Sequence, residues 1–220
     1  MTGLMMKDAL VMRKTLRLYA LFLLFYSGLA VLGVFPMSMA LAMVEVIVMV
    51  LPISSFSYDE AAKWDRYAAV LPVGRTAVVK ARYLFLLLVL LAAAAIGLVG
   101  SILASLLARE DLGELLATLL ATLLVSMGLG LMIADIMLPV VYQLGPERAR
   151  PWMYVIIFAP IVVLLGGAKL GLFDGIDLSW LDQLPELAVL GVFALVPLVP
   201  LVGMLLSCWI SCRIYARKEF

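Results

Sequence analysis

The sequence predicts an all-α polytopic membrane protein with six transmembrane helices. Of its 220 residues, 66% are hydrophobic and 14% are charged, whereas a soluble domain is about half apolar and a quarter charged. The apolar runs are continuous and longer than the roughly 20 residues that a membrane-spanning helix requires. A transmembrane β-barrel would alternate apolar and polar residues over segments of about ten. Composition and run length therefore favour helices in a bilayer.

The apolar runs divide into six predicted spans. The first run extends from Leu18 to Tyr58 with Glu45 as its one charge. As a single helix it would be about 60 Å long, roughly twice the hydrocarbon thickness, so Gly33 and Pro36 are predicted to supply a turn within it. The spans are predicted at residues 18–35, 37–55, 83–108, 115–142, 152–173 and 187–212. The chain 1–220 then forms a single transmembrane domain.

Lysine and arginine residues orient the predicted spans. All but two of the 16 fall in the N-terminal segment, the 56–82 loop, the 145–151 loop or the C-terminus. The exceptions are Arg109 and Lys169. Cytoplasmic loops carry an excess of these residues, and six spans place all four basic segments on one side. Both termini are therefore predicted to be cytoplasmic, in the cell membrane of a bacterium.

The N-terminal segment 1–17 is predicted to form an amphipathic helix at the membrane interface. Its apolar and basic residues occupy different arcs of a helix: Leu4, Met5, Val11, Met12 and Leu16 against Lys7, Arg13, Lys14 and Arg17. Such a helix lies in the plane of the interface. Two roles remain open, an elbow helix at the cytoplasmic leaflet and a flank that only sets topology.

The 56–76 loop, between the second and third predicted spans, is short, charged and aromatic. Ser57 and Glu60 match a capping box, which predicts a helix start at Ser57. Leu71 precedes Pro72, which predicts a helix end at Leu71. Apolar residues at helical spacing give this 57–71 helix one apolar face: Trp64, Tyr67, Ala68 and Leu71. The alternative is an aromatic interfacial anchor in a solvated loop.

The order of residues in this loop is distinctive. Acids precede the helix, a Leu-Pro pair and a small residue follow it, and basic residues open the next span: Asp59, Glu60, Trp64, Leu71, Pro72, Gly74, Arg75 and Lys80. This order resembles the first cytoplasmic loop of ABC-2-type transporter permeases. The opening GLMMKDALVMRKTLR also resembles the amphipathic start of the short six-span permeases of that family, and the six-span topology covers nearly the whole chain.

The resemblance implies an ABC exporter subunit that works with partners. Such permeases pair as two six-span halves and bind separate ATPase subunits through a coupling helix. The residues that would couple to the ATPase are Asp59, Glu60, Trp64, Tyr67, Leu71 and Arg75. ATP and Mg²⁺ would bind to the partner, because this chain has no G-x-x-x-x-G-K-[ST] phosphate loop. The cargo implied is an amphipathic peptide, an antimicrobial agent or a lipid-like molecule.

Two carboxylates lie inside predicted spans. Because a charged group near the bilayer centre is costly, Glu45 and Asp135 are expected to face a cavity or a partner. They either line a translocation path or form packing hydrogen bonds. Small residues at spacings of four predict close helix packing in the third and fourth spans: Ala93, Gly97, Ser101, Ser105, Ser126 and Gly130.

The amino-acid composition also excludes several other classes of function. The chain has no histidine, which removes histidine acid–base catalysis and most transition-metal sites. Cys208 and Cys212 are expected to be packing residues. No metal, no cofactor of its own and no nucleic-acid partner are expected. The alternatives left open are a proton-coupled secondary transporter that uses Glu45 and Asp135, and a membrane sensor or immunity protein without transport.

Overall fold

A computed structural model of the chain describes residues 2–64, 67–68, 74–108, 112–172 and 186–218. These residues form α-helices, with hydrogen-bonded turns at several of the helix ends. The helices are α1 (Thr2–Val11), α2 (Arg13–Val31), α3 (Met37–Ala61), α4 (Arg75–Ala108), α5 (Leu112–Leu144), α6 (Pro146–Lys169) and α7 (Glu186–Ala216). Six of them, α2 to α7, are long and apolar enough to cross a membrane. The all-α polytopic class and the number of spans are thereby confirmed.

The helices pack around three central members. Helix α5 lies against α3, α4, α6 and α7, and α3 also packs on α2 and α4. The short α1 crosses α4 near its N-terminal end. The core consists of aliphatic side chains on the facing sides of α3, α4 and α5: Leu41, Val44, Val48, Leu86, Leu90, Leu131 and Leu138. Helix α6 is the least covered, and α2 and α7 also present most of their surface outward.

The predicted interfacial helix ends earlier than expected. Helix α1 stops at Val11, and α2 begins at Arg13, so residues 13–17 open the first span and do not continue the N-terminal helix. Met12 lies at the junction of α1 and α2, and only 1% of its surface is exposed. Its side chain packs in the core and fixes the position of this turn. The basic side chains at 13, 14 and 17 remain exposed, because long cationic side chains reach the interface from the end of a span.

The predicted helix start at Ser57 is wrong. Helix α3 runs without interruption to Ala61, so the capping-box residues Ser57 and Glu60 lie inside its last two turns. The helix ends when the Ala62 and Lys63 amides bond back to carbonyls of the last turn, with Lys63 in the left-handed region at φ 50°. Packing of the apolar face of α3 on α5 overrides the local capping signal.

The residues predicted to pack closely lie where helices approach one another. Ala93, Ser101, Ser105 and Ser126 are buried, as are Gly97 and Gly130. A Cβ added at Gly97 would lie 3.3 Å from the side chains of Leu41 and Val44, which is a tight approach between α3 and α4. Helices α5 and α7 also approach closely at Gly128, where a Cβ would lie 3.0 Å from the Val196 backbone.

Candidate functional site

Four charged side chains from three helices meet at the predicted cytoplasmic end of the bundle. Lys7 and Asp8 come from α1, Asp59 from the last turn of α3 and Arg82 from α4. The Lys7 Nζ lies 2.8 Å from both Asp8 Oδ1 and Asp59 Oδ1. The Arg82 Nη2 contacts Asp59 Oδ2 and lies 3.4 Å from Asp8 Oδ1. We call these four residues the charged cluster; it pairs two cations with two anions.

The charged cluster is largely withdrawn from solvent. Its side chains are 19% exposed at Lys7, 6% at Asp8, 12% at Asp59 and 5% at Arg82. The Arg82 guanidinium also stacks 4.5 Å from the centroid of the Phe56 ring. Removing one member of a buried ion pair leaves an uncompensated charge, which costs about 3–5 kcal/mol. The cluster therefore fixes the relative positions of α1, α3 and α4.

The segment between α3 and α4 (residues 62–74, the α3–α4 segment) is attached to this cluster at its first turn. The Lys7 ammonium lies 4.2 Å from the centroid of the Trp64 ring. Trp64 packs on the core, and Ala68 is 2% exposed. Tyr67 points away from the protein with 64% of its surface exposed. The predicted single apolar face is thus divided between an inner side and an outer side.

The residues predicted to couple to an ATPase fall into two groups. Asp59, Trp64 and Arg75 make contacts within the chain, whereas Glu60 and Tyr67 are exposed. Arg75 Nη1 donates hydrogen bonds to the carbonyls of Ala216, at 3.0 Å, and Lys218, at 3.1 Å. The C-terminal end of the α3–α4 segment is thereby tied to the end of α7. Leu71 and Pro72 lie outside the described residues.

An aromatic row continues from the charged cluster across the bundle. The rings of Phe56 and Tyr142 meet edge to face at 4.6 Å, and those of Tyr142 and Tyr215 at 5.5 Å. Lys218 Nζ also donates to the Tyr142 carbonyl at 3.4 Å. Contacts therefore run from the cluster on α1, α3 and α4 to the predicted cytoplasmic ends of α5 and α7.

Lys7, Asp8 and Arg82 were not among the predicted site residues. One signal was available at Asp8, which is the first acidic residue of the chain and the only one before Glu45. Asp8 also stands four residues from Leu4 and four from Met12, so a helix places all three on one face. An acid on that face, within a basic segment, indicates a buried partner. Nothing local identifies that partner as Arg82, 74 residues away.

The intramembrane carboxylate Asp135 occupies a different environment. Its Oδ1 atom is buried and has no hydrogen-bond partner among the described residues. A Cβ added at Gly203 of α7 would lie 2.9 Å from Asp135 Oδ2, so the glycine makes room for the carboxylate. The Asp135 carbonyl accepts a hydrogen bond from Ser207 Oγ at 2.6 Å, and the Tyr83 hydroxyl lies 2.7 Å from the same Oγ.

This polar site joins three spans at one depth. Tyr83 comes from α4, Asp135 from α5 and Ser207 from α7. The side chain of Glu45, the other predicted intramembrane carboxylate, lies outside the described residues. The structure therefore places one of the two carboxylates in a polar site between helices and gives no position for the side chain of the second.

The comparisons with known proteins address the family. The sequence profile of a family described as "ABC-2 family transporter protein" matches residues 3–216. No curated protein and no solved structure gives a significant match. The matched range includes the charged cluster, the α3–α4 segment and all six candidate spans. It confirms the resemblance and favours a permease over a proton-coupled transporter or a sensor.

Permeases of this family are transmembrane subunits that pair with an ATPase subunit and do not themselves hydrolyse ATP. The six helices that can span a membrane agree with that architecture. The chain belongs to the ABC-2 transporter family and is a multi-pass membrane permease subunit of an ABC transporter.

Proposed function

We propose that this permease is the membrane subunit of an ATP-driven exporter, that two six-span halves form the translocation path, and that the α3–α4 segment couples the path to a separate ATPase. The observation that carries the proposal is the charged cluster. Its ion pairs join the root of the α3–α4 segment to α1 and α4. ATP and Mg²⁺ would bind to the partner ATPase.

The cluster gives the segment a mechanical connection to the spans. Asp59 lies in the last turn of α3, and Trp64 follows after the turn that ends this helix. Lys7 of α1 contacts both. A displacement of the segment must therefore move α1 and α4 with it or break buried ion pairs. Packed and paired elements of this kind move as units between discrete arrangements.

The two sides of the α3–α4 segment have different roles in this proposal. Trp64 and Ala68 pack against the chain itself and position the segment, as do Asp59 and Arg75. Glu60 and Tyr67 are exposed at the same end and supply the contact with the ATPase. Tyrosine is enriched at the centre of protein interfaces, and an acid such as Glu60 suits the polar rim around it. Leu71 remains a predicted contact.

The cargo proposed is an amphipathic peptide, an antimicrobial agent or a lipid-like molecule. Apolar spans with a polar site at Asp135 suit a molecule that has both an apolar and a polar part. The second half is either another copy of this chain or a related permease. The location proposed is the cytoplasmic membrane of a bacterium, with both termini in the cytoplasm, in agreement with the distribution of lysine and arginine.

Co-purification tests the coupling. The tagged chain is extracted from its native host in mild detergent, and the proteins that co-elute are identified. The double variant Glu60→Ala/Tyr67→Ala removes two exposed side chains, one in the last turn of α3 and one in the α3–α4 segment. The matched control is Glu147→Ala/Tyr154→Ala on α6, which removes another exposed Glu and Tyr seven residues apart.

We expect an ATPase with wild type and with the control, and loss of that ATPase from the Glu60/Tyr67 variant. Both variants should remain monodisperse with unchanged thermal stability, since surface substitutions change stability by about 0.5 kcal/mol or less. A folded wild type that elutes without any ATPase would make the segment an interfacial anchor. An ATPase retained equally by both variants would place the contact elsewhere.

A further inference from the structure

An apolar groove of about 520 Å³ lies between α1, α2 and α4. Its floor includes Leu23 and Ala93, which are buried, and Met5 and Met6 of α1 form its roof. This volume is in the range of ligand sites, roughly 300–1,000 Å³. Along α4 the groove extends from residue 85 to residue 96, about 16 Å at the helical rise. That length is about half of the hydrocarbon core, or one leaflet.

The groove is open at the outer surface of the helix bundle. Met6 at its rim is 61% exposed, and Leu88 on its α4 wall is 47% exposed. In a membrane these faces meet hydrocarbon and not water. Methionine side chains adapt their shape to an apolar occupant. The length, the apolar lining and the lateral opening together match one acyl chain.

Three cations stand at the end of the groove where α2 begins. Arg13, Lys14 and Arg17 are exposed and flank Leu16, which lines the groove. Within the described part of the chain none of the three forms an ion pair. The one acidic residue between Thr2 and Val31 is Asp8, which the charged cluster engages. The local charge is therefore positive and suits an anionic headgroup of the cytoplasmic leaflet.

We propose that this groove binds one acyl chain of an anionic phospholipid, whose headgroup contacts Arg13, Lys14 and Arg17. Helix α1 connects this lipid to the charged cluster, because Met5 faces the groove while Lys7, two residues further along, lies on the opposite side of the helix and contacts Asp8 and Asp59. The bound lipid holds α1 against α4. Lipid binding does not require that an ATPase is the partner, so the two proposals fail independently.

Native mass spectrometry of the full chain tests the site. The protein is reconstituted into vesicles of equimolar phosphatidylcholine and phosphatidylglycerol, extracted in mild detergent, and the retained lipids are counted. Ala92→Trp places a large ring into the groove from an exposed position. The matched control is Ala95→Trp, on an exposed position of α4 that does not line the groove. Arg13→Gln/Lys14→Gln/Arg17→Gln removes the cations.

We expect wild type and Ala95→Trp to retain phosphatidylglycerol in roughly tenfold excess over phosphatidylcholine. Ala92→Trp should lose the retained lipid. The triple glutamine variant should keep a lipid without preference for either headgroup, and it tests the site even if Ala92→Trp fails to fold. Retention by wild type in the vesicle ratio, equal retention by both tryptophan variants, or an unchanged preference in the glutamine variant would each overturn the proposal.

Discussion

The carboxylates of Asp59, which is buried, and Asp135, which is partly buried, have opposite surroundings. Asp59 is held by two cations, Lys7 and Arg82, at the end of α3. Asp135 faces Gly203, and its Oδ1 atom has no partner in the described part of the chain. A satisfied network rigidifies the elements that it joins, whereas an unpaired polar group can take a new partner at low cost. The first carboxylate is therefore suited to transmitting motion and the second to contact with a cargo.

The largest effect is expected at Arg82. Arg82→Met leaves Asp8 and Asp59 buried with Lys7 as their one remaining cation, and it should lower the free energy of unfolding by about 3–5 kcal/mol. Thermal unfolding in detergent, followed by tryptophan fluorescence, measures the change. Arg148→Met, at an exposed position on α6, is the control and should behave as wild type. Equal stability of the two variants would show that the cluster does not hold the helices together.

Asp59 and Glu60 are neighbouring acids at the end of α3, and comparing them tests whether the buried acid contributes more to stability than the exposed one. Asp59→Asn should lower the free energy of unfolding by about 2–3 kcal/mol, because it removes the charge that Lys7 and Arg82 share. Glu60→Gln, one residue away and exposed, should change it by about 0.5 kcal/mol or less. The same unfolding assay compares them. Similar losses at both positions would contradict the distinction between a positioning acid and a contact acid.

Gly203→Ala tests the space in front of Asp135. The added Cβ would lie 2.9 Å from Asp135 Oδ2, so the helices or the carboxylate must shift, at a cost of about 1–3 kcal/mol. Gly191→Ala, where the Cβ would meet nothing within 4 Å, is the control on the same helix. Loss of stability at both glycines alike would point to a general need for glycine in α7.

Asp135→Asn should have little effect on stability, since an amide replaces a carboxylate that has one unpartnered oxygen. If Asp135 lines the translocation path, cargo transport should fall while the ATPase still co-purifies. Transport measured in inverted vesicles separates these outcomes. Transport and partner binding that both remain intact would restrict Asp135 to packing. Glu45→Gln is the companion variant, under the same criterion.

A modest effect is expected at Trp64. Trp64→Leu keeps an apolar side chain but loses the ring that lies 4.2 Å from Lys7 Nζ, and a cation–π contact of this kind contributes about 0.5–2 kcal/mol. Unfolding should be slightly easier, and ATPase binding should fall less than with Glu60→Ala/Tyr67→Ala. A larger loss of binding at Trp64 than at Tyr67 would reverse the assignment of the inner and outer sides.

The fold could be predicted because bilayer physics leaves few choices. Every backbone polar group in hydrocarbon must be satisfied internally, so long apolar runs become helices. The six spans followed from run lengths and from Gly33 and Pro36 at the first turn. The predicted helix start at Ser57 was wrong, because α3 continues through Ser57 to Ala61 and its packing outweighs a local capping pattern.

The candidate site could be located but not assembled from the sequence. The 56–76 loop was recognised from the order of its acids, its Leu-Pro pair and its arginine. The loop has an inner side with Trp64 and an outer side with Tyr67, and this division depends on contacts with α1 and the core. The helical spacing of apolar residues in the sequence does not show those contacts. The partnership of Asp8 with Arg82 joins residues 74 positions apart. An anomaly such as an acid on an apolar face indicates that a partner exists without identifying it.

The composition of the charged cluster has an electrical consequence. Lys7, Asp8, Asp59 and Arg82 carry formal charges that sum to zero, and they are joined at contact distance. A transmembrane voltage does work only on net charge that crosses it, about 2.3 kcal/mol per elementary charge per 100 mV. If the cluster moves as a unit, the field neither assists nor resists it. In the proposed coupling, the step that passes motion from the α3–α4 segment to the spans should then proceed at the same rate in energised and de-energised membranes.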